Sequence, residues 1–404
     1  MKKYNKITPE GTKDLLFGEC FARRNVERKL SGLFASRGFH EVVTPGLEFY
    51  DVFALEGAGI SQEEMYKATD RAGRTVVFRP DLTMPIARLT ATRLQNQPKP
   101  VRLYYTQPVY RNDHGRTGRS HEITQTGVEL LGAGGLRADL EVITAAVEAM
   151  NLCTPDFRLE IGHAGFFRAL AAHLPVSEET REDVRAAIES KNYAALNTIL
   201  DSLEDSAPVR AMRRLPRLFG GEEIFEEAEA YCIDEESRKT LAYLREVYTM
   251  LASLGLGQKL LVDLSLVQRI DYYTGIIFSA YVEEYGDAVL SGGRYDNLLA
   301  MFGAPMPAIG FAVNADALAG IAMLRGEVPE VPAAKVLVYG DPGYELKALA
   351  HSTRLTQNGI RSETSVFETR EETLAYARQL GIERVDFVGE KTETVAIGRD
   401  GGAQ

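Results

Sequence analysis

The 404-residue chain offers little that would tie it to a membrane, an oxidising compartment or a polyanion. No run approaches the ~20 apolar residues that a membrane-spanning helix needs. The most apolar segment, Ala308 to Leu324, is broken by Asn314 and Asp316. The amino terminus, MKKYNKITPEGTKDLLF, has basic residues with no apolar stretch behind them, so no signal peptide is read there. The three cysteines, Cys20, Cys153 and Cys232, are far apart and have neither CxxC nor Cys/His ligand spacing. They fit reduced core thiols, and a cytoplasmic location is expected. Basic residues are outnumbered 46 to 57, for a formal charge of −11. That disfavours a broad nucleic-acid surface, which needs clustered Lys and Arg, and leaves only a local basic patch open. Walker, HExxH and GxSxG signatures are missing, and Glu56–Gly57–Ala58–Gly59 is half a dinucleotide fingerprint behind no convincing strand.

What is present is a globular pattern too long for one core. Residues 20–37 have helical spacing, FHEVVTP reads as a strand closed by Pro45, and TVVFRP leads into a helix near Asp81 and Thr83. Residues 101–113 and 121–132 form two strands of an expected hairpin, followed by a helix over 138–152. From about 165 to 255 the pattern is helical and highly charged, an inserted subdomain with no clear strand. Strands resume over 259–284, SGGRYDNLL is read as opening a helix, and 307–324 as strand then helix. The expected class is α+β: a core over 1–325 with an antiparallel sheet, a linker at 326–334, and a small α/β domain over 335–404 with a mainly parallel sheet.

Several polar residues interrupt otherwise apolar segments. Gln125 and Glu129 are four apart and share a strand face, with Gly127 between them expected to leave room for a ligand. The plain alternative is the solvated face of a half-buried strand. Asp81 and Thr83 alone also suit a helix start, and Tyr272–Tyr273–Thr274–Gly275 alone suits core and turn. Together, two carboxylates, an amide, a hydroxyl and two phenols suit a small zwitterion bearing an amine and a polar ring.

FHEVVTP, VYRND and PAIGFAVNADAL resemble the three ordered motifs of class II aminoacyl-tRNA synthetases. RPDLTMPIAR, TQTGVELLG, LSLVQRIDYYTG and SGGRYDNLL are similar to segments peculiar to histidyl-tRNA synthetase, and PEGTKDLL and EEMYKATDRAGR match too. The resemblance spans about 1–320 and implies the class II synthetase-like fold, with histidine contacts at Asp81, Thr83, Arg111, Gln125, Glu129, Tyr272 and Tyr273. The family usually has Glu at the position of Asp81. Arg119 is a further candidate anion contact, and Arg111 has two readings, a hold on the ligand carboxylate or a structural remnant.

Two departures bear on activity. The family's motif-three arginine, which holds ATP, is replaced at Ala317 within Asn314–Ala315–Asp316–Ala317. Arg325 is no substitute, since eight residues along a helix is about 12 Å. The family's catalytic arginine before the paired tyrosines is Gln268, and Arg269 should face the other way along a strand. Each lost donor to developing charge costs about 10²–10³ in rate. The last domain is also a poor match for RNA, with nine basic and eleven acidic residues over 331–404.

These departures resemble the regulatory branch of the family, which partners ATP phosphoribosyltransferase in histidine biosynthesis. That resemblance implies a non-catalytic homodimer, joined near Pro45, within a hetero-oligomer containing a short catalytic subunit. L-histidine would be the feedback effector, with no cofactor, metal or nucleic acid required. A divergent histidyl-tRNA synthetase is the enzyme alternative, and an RNA-binding synthetase-like module is a third reading.

Overall fold

The computed structural model describes residues 4–55, 60–112, 120–267, 272–328 and 333–397. The chain divides at Val328–Pro329 into two compact units.

The strands of the first unit, in chain order, are β1 (His40–Glu41), β2 (Leu47–Phe49), β3 (Lys67–Thr69), β4 (Thr75–Phe78), β5 (Val101–Tyr110) and β6 (Glu122–Leu131). They continue with β7 (Arg158–His163), β8 (Phe219–Gly220), β9 (Leu260–Asp263), β10 (Ile276–Tyr281), β11 (Leu290–Arg294) and β12 (Ala308–Asn314). Nine of them form one sheet in the order β1-β5-β6-β12-β11-β10-β7-β9-β8, and β2-β4-β3 form a small separate sheet. The large sheet is antiparallel except where β1 joins β5 and β7 joins β9.

Period-two alternation gives this sheet two distinct faces. Tyr104, Val128, Leu130, Phe278 and Phe311 point into the larger core, under the helices. Leu103, Tyr105, Leu131, Ile277 and Tyr295 point into a second core on the other side. Helix α1 (Phe17–Ser36) buries Ala22, Val26, Leu30 and Phe34, a four-residue repeat that keeps one stripe on the sheet. Helix α2 (Thr83–Arg93) closes the second core, whereas α3 (Leu136–Cys153) packs on the first with small residues at 138, 145, 146 and 149.

The insertion comprises α4 (Ala164–Ala172), α5 (Glu178–Glu189), α6 (Tyr193–Asp201), α7 (Ala207–Arg214), α8 (Ile224–Glu229) and α9 (Glu235–Leu251). It is not wholly helical, because β8 returns to the edge of the large sheet against β9. SGGRYDNLL is also different from its reading as a helix start. Its first part is β11, paired on both sides, and only Leu299–Phe302 turns as a short 3₁₀ helix. Arg158–His163 is a central strand that the sequence reading passed over. No described helix is long and apolar enough to cross a membrane.

The second unit has β13 (Val336–Gly340), β14 (Ser362–Thr364), β15 (Arg384–Val388) and β16 (Thr392–Ala396), with α11 (Glu345–Gln357) and α12 (Arg370–Leu380). The order is β14-β13-β15-β16, parallel apart from the last pair. Ala377 of α12 and Ala348 of α11 pack into different cores of this unit, so each helix covers its own apolar cluster.

Candidate histidine site

The site is built where β6 runs beneath the start of α2. Burial of the β5–β6 pair places Glu129 on the face of the second core, 1% exposed. Its Oε1 accepts from the Thr83 hydroxyl at 3.0 Å, and Oε2 accepts from the Tyr295 hydroxyl. Room for that carboxylate comes from β12, since a Cβ at the facing Gly310 would overlap it. Among the described residues no cation bonds Glu129. Both hydroxyls favour its charged form, yet burial outweighs them and pushes its pKa up to about 8.

Asp81 lies in the turn from β4 into α2 and is 5% exposed. Its Oδ1 accepts the Met84 amide at 3.1 Å, which fixes the start of the helix. Its Oδ2 is buried with no hydrogen-bond partner among the described residues. Burial lifts Asp81 to about 6, against the pull of the Met84 amide and the Arg111 charge. Arg111 uses Nε to bond the Pro80 carbonyl at 2.8 Å, which holds its guanidinium beside that turn. Asp81 and Thr83 therefore serve both readings, as helix-start residues whose side chains also meet the pocket.

Tyr272 and Tyr273 close the opposite side, both buried, with ring centroids 5.1 Å apart. Tyr272 stacks edge-on against Tyr295 at 5.6 Å. Burial raises the pKa of Tyr105, Tyr272, Tyr273 and Tyr295, so all four phenols stay neutral near pH 7. Tyr105 and Tyr295 had not been singled out from sequence. The available signal for Tyr295 was its place in SGGRYDNLL, hidden by reading that segment as a helix.

Gly127 requires a correction. The space above it is not left for a ligand: Tyr105, its cross-strand partner, fills it, and a Cβ there would stand 2.6 Å from the phenol oxygen. Gln125 is half-buried on the same face as Glu129, paired in register with Gln107 and Asn314. Four strand residues span about 13 Å, so Gln125 can reach only the far end of a ligand seated on Glu129.

Beyond Gln125, Asn314 caps α10 (Ala315–Leu324) by accepting the Ala317 amide at 3.0 Å. Ala317 is 7% exposed and belongs to the larger core. Asp316 accepts the Thr124 amide at 2.6 Å and lies 3.7 Å from Arg23. Arg325 is engaged elsewhere, by Glu284 and Thr154. Arg119 and Gln268 lie outside the described residues.

The family model for histidyl-tRNA synthetase matches residues 11–318. An ATP phosphoribosyltransferase regulatory subunit of Clostridium kluyveri is 41% identical over 381 residues, covering 93% of this chain and 97% of its own. One from Bacillus cereus is 36% identical, over 98% and 94%. A crystal structure from Bacillus halodurans, described as an ATP phosphoribosyltransferase regulatory subunit/histidyl-tRNA synthetase, aligns with TM-score 0.84 at 28% identity, over 96% of this chain and 100% of that one. Histidyl-tRNA synthetase from Nostoc shares the fold, with TM-score 0.77 at 20% identity over 98% and 97%. With the class II fold, the paired carboxylates and the altered motif-three turn already in place, these likenesses mean that the chain belongs to the ATP phosphoribosyltransferase regulatory subunits of the histidyl-tRNA synthetase family.

Proposed function

We propose that the chain is a non-catalytic histidine sensor, which assembles with a short ATP phosphoribosyltransferase catalytic subunit and imposes feedback inhibition on it. The observation that carries this reading is a pair of buried carboxylates with no bonded cation among the described residues. Among the described residues, one oxygen of Asp81 has no hydrogen-bond partner and Glu129 is met by hydroxyls alone. Buried unpaired charge is expensive, so such a site favours a ligand that brings its own donors. Histidine's imidazole would meet Glu129 and the tyrosine pair, with its ammonium at Asp81 and its carboxylate at Arg111. Gln125 would border the far end, and Arg119 would offer a further anion contact.

The loss of chemistry rests on the sequence at Gln268 and on Ala317, whose small side chain is part of an apolar core. The working form would be a cytoplasmic homodimer inside a hetero-oligomer. Its shared face would lie around residues 40–49, where Val43 is 75% exposed. The unit after Val328 would be a shortened relative of an anticodon-binding domain with no RNA to bind.

The deciding experiment mixes the purified chain with a short catalytic subunit and follows phosphoribosyl transfer while histidine is titrated. The mixture should be active and histidine-inhibited, and Glu129→Gln should remain active while losing the inhibition. Histidine-dependent pyrophosphate exchange at synthetase-like rates by the chain alone would overturn this assignment in favour of an enzyme.

A further inference from the structure

Tyr295 contacts Glu129 from one face of its segment, while its neighbour Arg294 projects from the other. Arg294 is 6% exposed. Its Nε and Nη2 donate to Asp139 Oδ1, the former at 2.8 Å. Its Nη1 donates to Asp296 Oδ1 at 2.9 Å and to the Ala133 carbonyl at 3.2 Å. Asp139, fully buried in the first turn of α3, accepts the Tyr243 hydroxyl with its other oxygen. Tyr243 belongs to α9, the longest helix of the insertion.

Arg294 and Asp296 also grip the turn after the paired tyrosines. Thr274 donates its amide to the Arg294 carbonyl at 2.7 Å, and its hydroxyl accepts the Asp296 amide at 2.9 Å. The first insertion helix reaches this turn from outside. Ala164 donates its amide to the Gly275 carbonyl at 2.9 Å, and Arg168 donates to the Thr274 carbonyl at 3.2 Å. The start of the insertion thus bonds the turn after Tyr272 and Tyr273 directly, and α9 reaches it through Asp139 and Arg294.

We propose that Arg294 and Tyr243 are positioning residues of the pocket, through which the helical insertion and the ligand at Glu129 share one conformational equilibrium. This rests on the histidine reading of the site. A buried Arg–Asp pair contributes little net stability, because desolvation offsets its attraction. What it does supply is geometry: with both aspartates engaged, Arg294 cannot move without disturbing Tyr295 and Thr274. Coupling of this kind is reciprocal, so a change confined to α9 must alter ligand affinity.

The test uses the full chain and L-histidine, with affinity from calorimetry and hydrogen exchange of α4 and α9. Tyr243→Phe keeps the ring and removes only the hydroxyl on Asp139. It should weaken histidine binding about three- to ten-fold and shrink the histidine-induced protection of α4 and α9. Tyr248→Phe changes another buried tyrosine of α9, one that stacks on Phe225, and should leave both readouts near wild type. Arg294→Lys should recover affinity only partly, since an ammonium cannot serve both aspartates and Ala133 as the guanidinium does. Wild-type affinity in Tyr243→Phe, or equal losses in the two tyrosine variants, would overturn the proposal. A wild-type chain that bound no histidine would instead remove the reading on which it rests.

Discussion

The two ends of β6 have been treated differently. At Glu129 the strand meets α2, four buried tyrosines and a glycine that makes room for the carboxylate, with Leu103 as its apolar cross-strand neighbour. At Gln125 it meets the start of α10, where Ala317 is packed as apolar core and Asp316 turns back to cap the edge of the strand at Thr124. Under the proposed function, the first end would recognise a small polar ring. The other has a methyl at Ala317, where the family resemblance implies a cation, beside the carboxylate of Asp316, an arrangement that suits helix capping and opposes a nucleotide phosphate. Under the proposed function, recognition and activation would be separable, because Glu129 and Gln125 sit about 13 Å apart on one strand and meet different partner elements.

The largest effect that would sharpen this contrast is at Glu129. Glu129→Ala should lower histidine affinity by at least about 30-fold in calorimetry, the scale for truncating a buried, hydrogen-bonded charge. Unchanged affinity would remove Glu129 from the site. Asp81→Asn should cost about ten-fold, because one oxygen still caps Met84 while the charge facing the ligand is lost.

A third outcome concerns pH in the ligand-free protein. Glu129 holds its proton to about pH 8 when folded, whereas an ordinary Glu releases it near 4.5. Between those values the folded state binds more protons than the unfolded one, so stability falls as pH rises and levels off above the folded value. Denaturant unfolding from pH 5 to 9 should show wild type losing up to roughly 1 kcal/mol per pH unit relative to Glu129→Gln. A constant gap would mean that Glu129 is ionised throughout.

The smallest effect on binding is expected at the other end. Ala317→Arg should leave histidine affinity within about two-fold and produce no pyrophosphate exchange, while overpacking costs roughly 1–3 kcal/mol of stability. Exchange activity gained by this one substitution would break the contrast, since it would mean that the phosphate end is intact apart from a single side chain.

Much of the site was legible from order and residue type. Asp81, Thr83, Glu129, Tyr272 and Tyr273 belong to segments distinctive enough to be read together, and the structure joins them. Tyr295 was not legible, because an apolar pair after a turn suits helix and strand alike, and only pairing of β11 with β10 and β12 decides it. The short strands β2, β3 and β8 were missed for a related reason: two or three residues carry no measurable period. Gly127 misled in the opposite direction. Its missing side chain suggested room for a ligand, but the cross-strand neighbour Tyr105 takes that space.

By itself, the sequence determined which groups could be brought to a ligand, that position 317 holds an uncharged alanine, and that the last 74 residues carry no basic excess. These are properties of residue type and need no partner. Only the tertiary structure decided that two carboxylates would be buried together with no bonded cation among the described residues, that Tyr295 and Tyr105 would complete their surroundings, and that the insertion would reach the tyrosine turn directly near α4 and through Asp139 and Arg294 from α9. Desolvation and cross-strand register are set by residues distant in the chain, so neither charge state nor contact can be read from a segment alone.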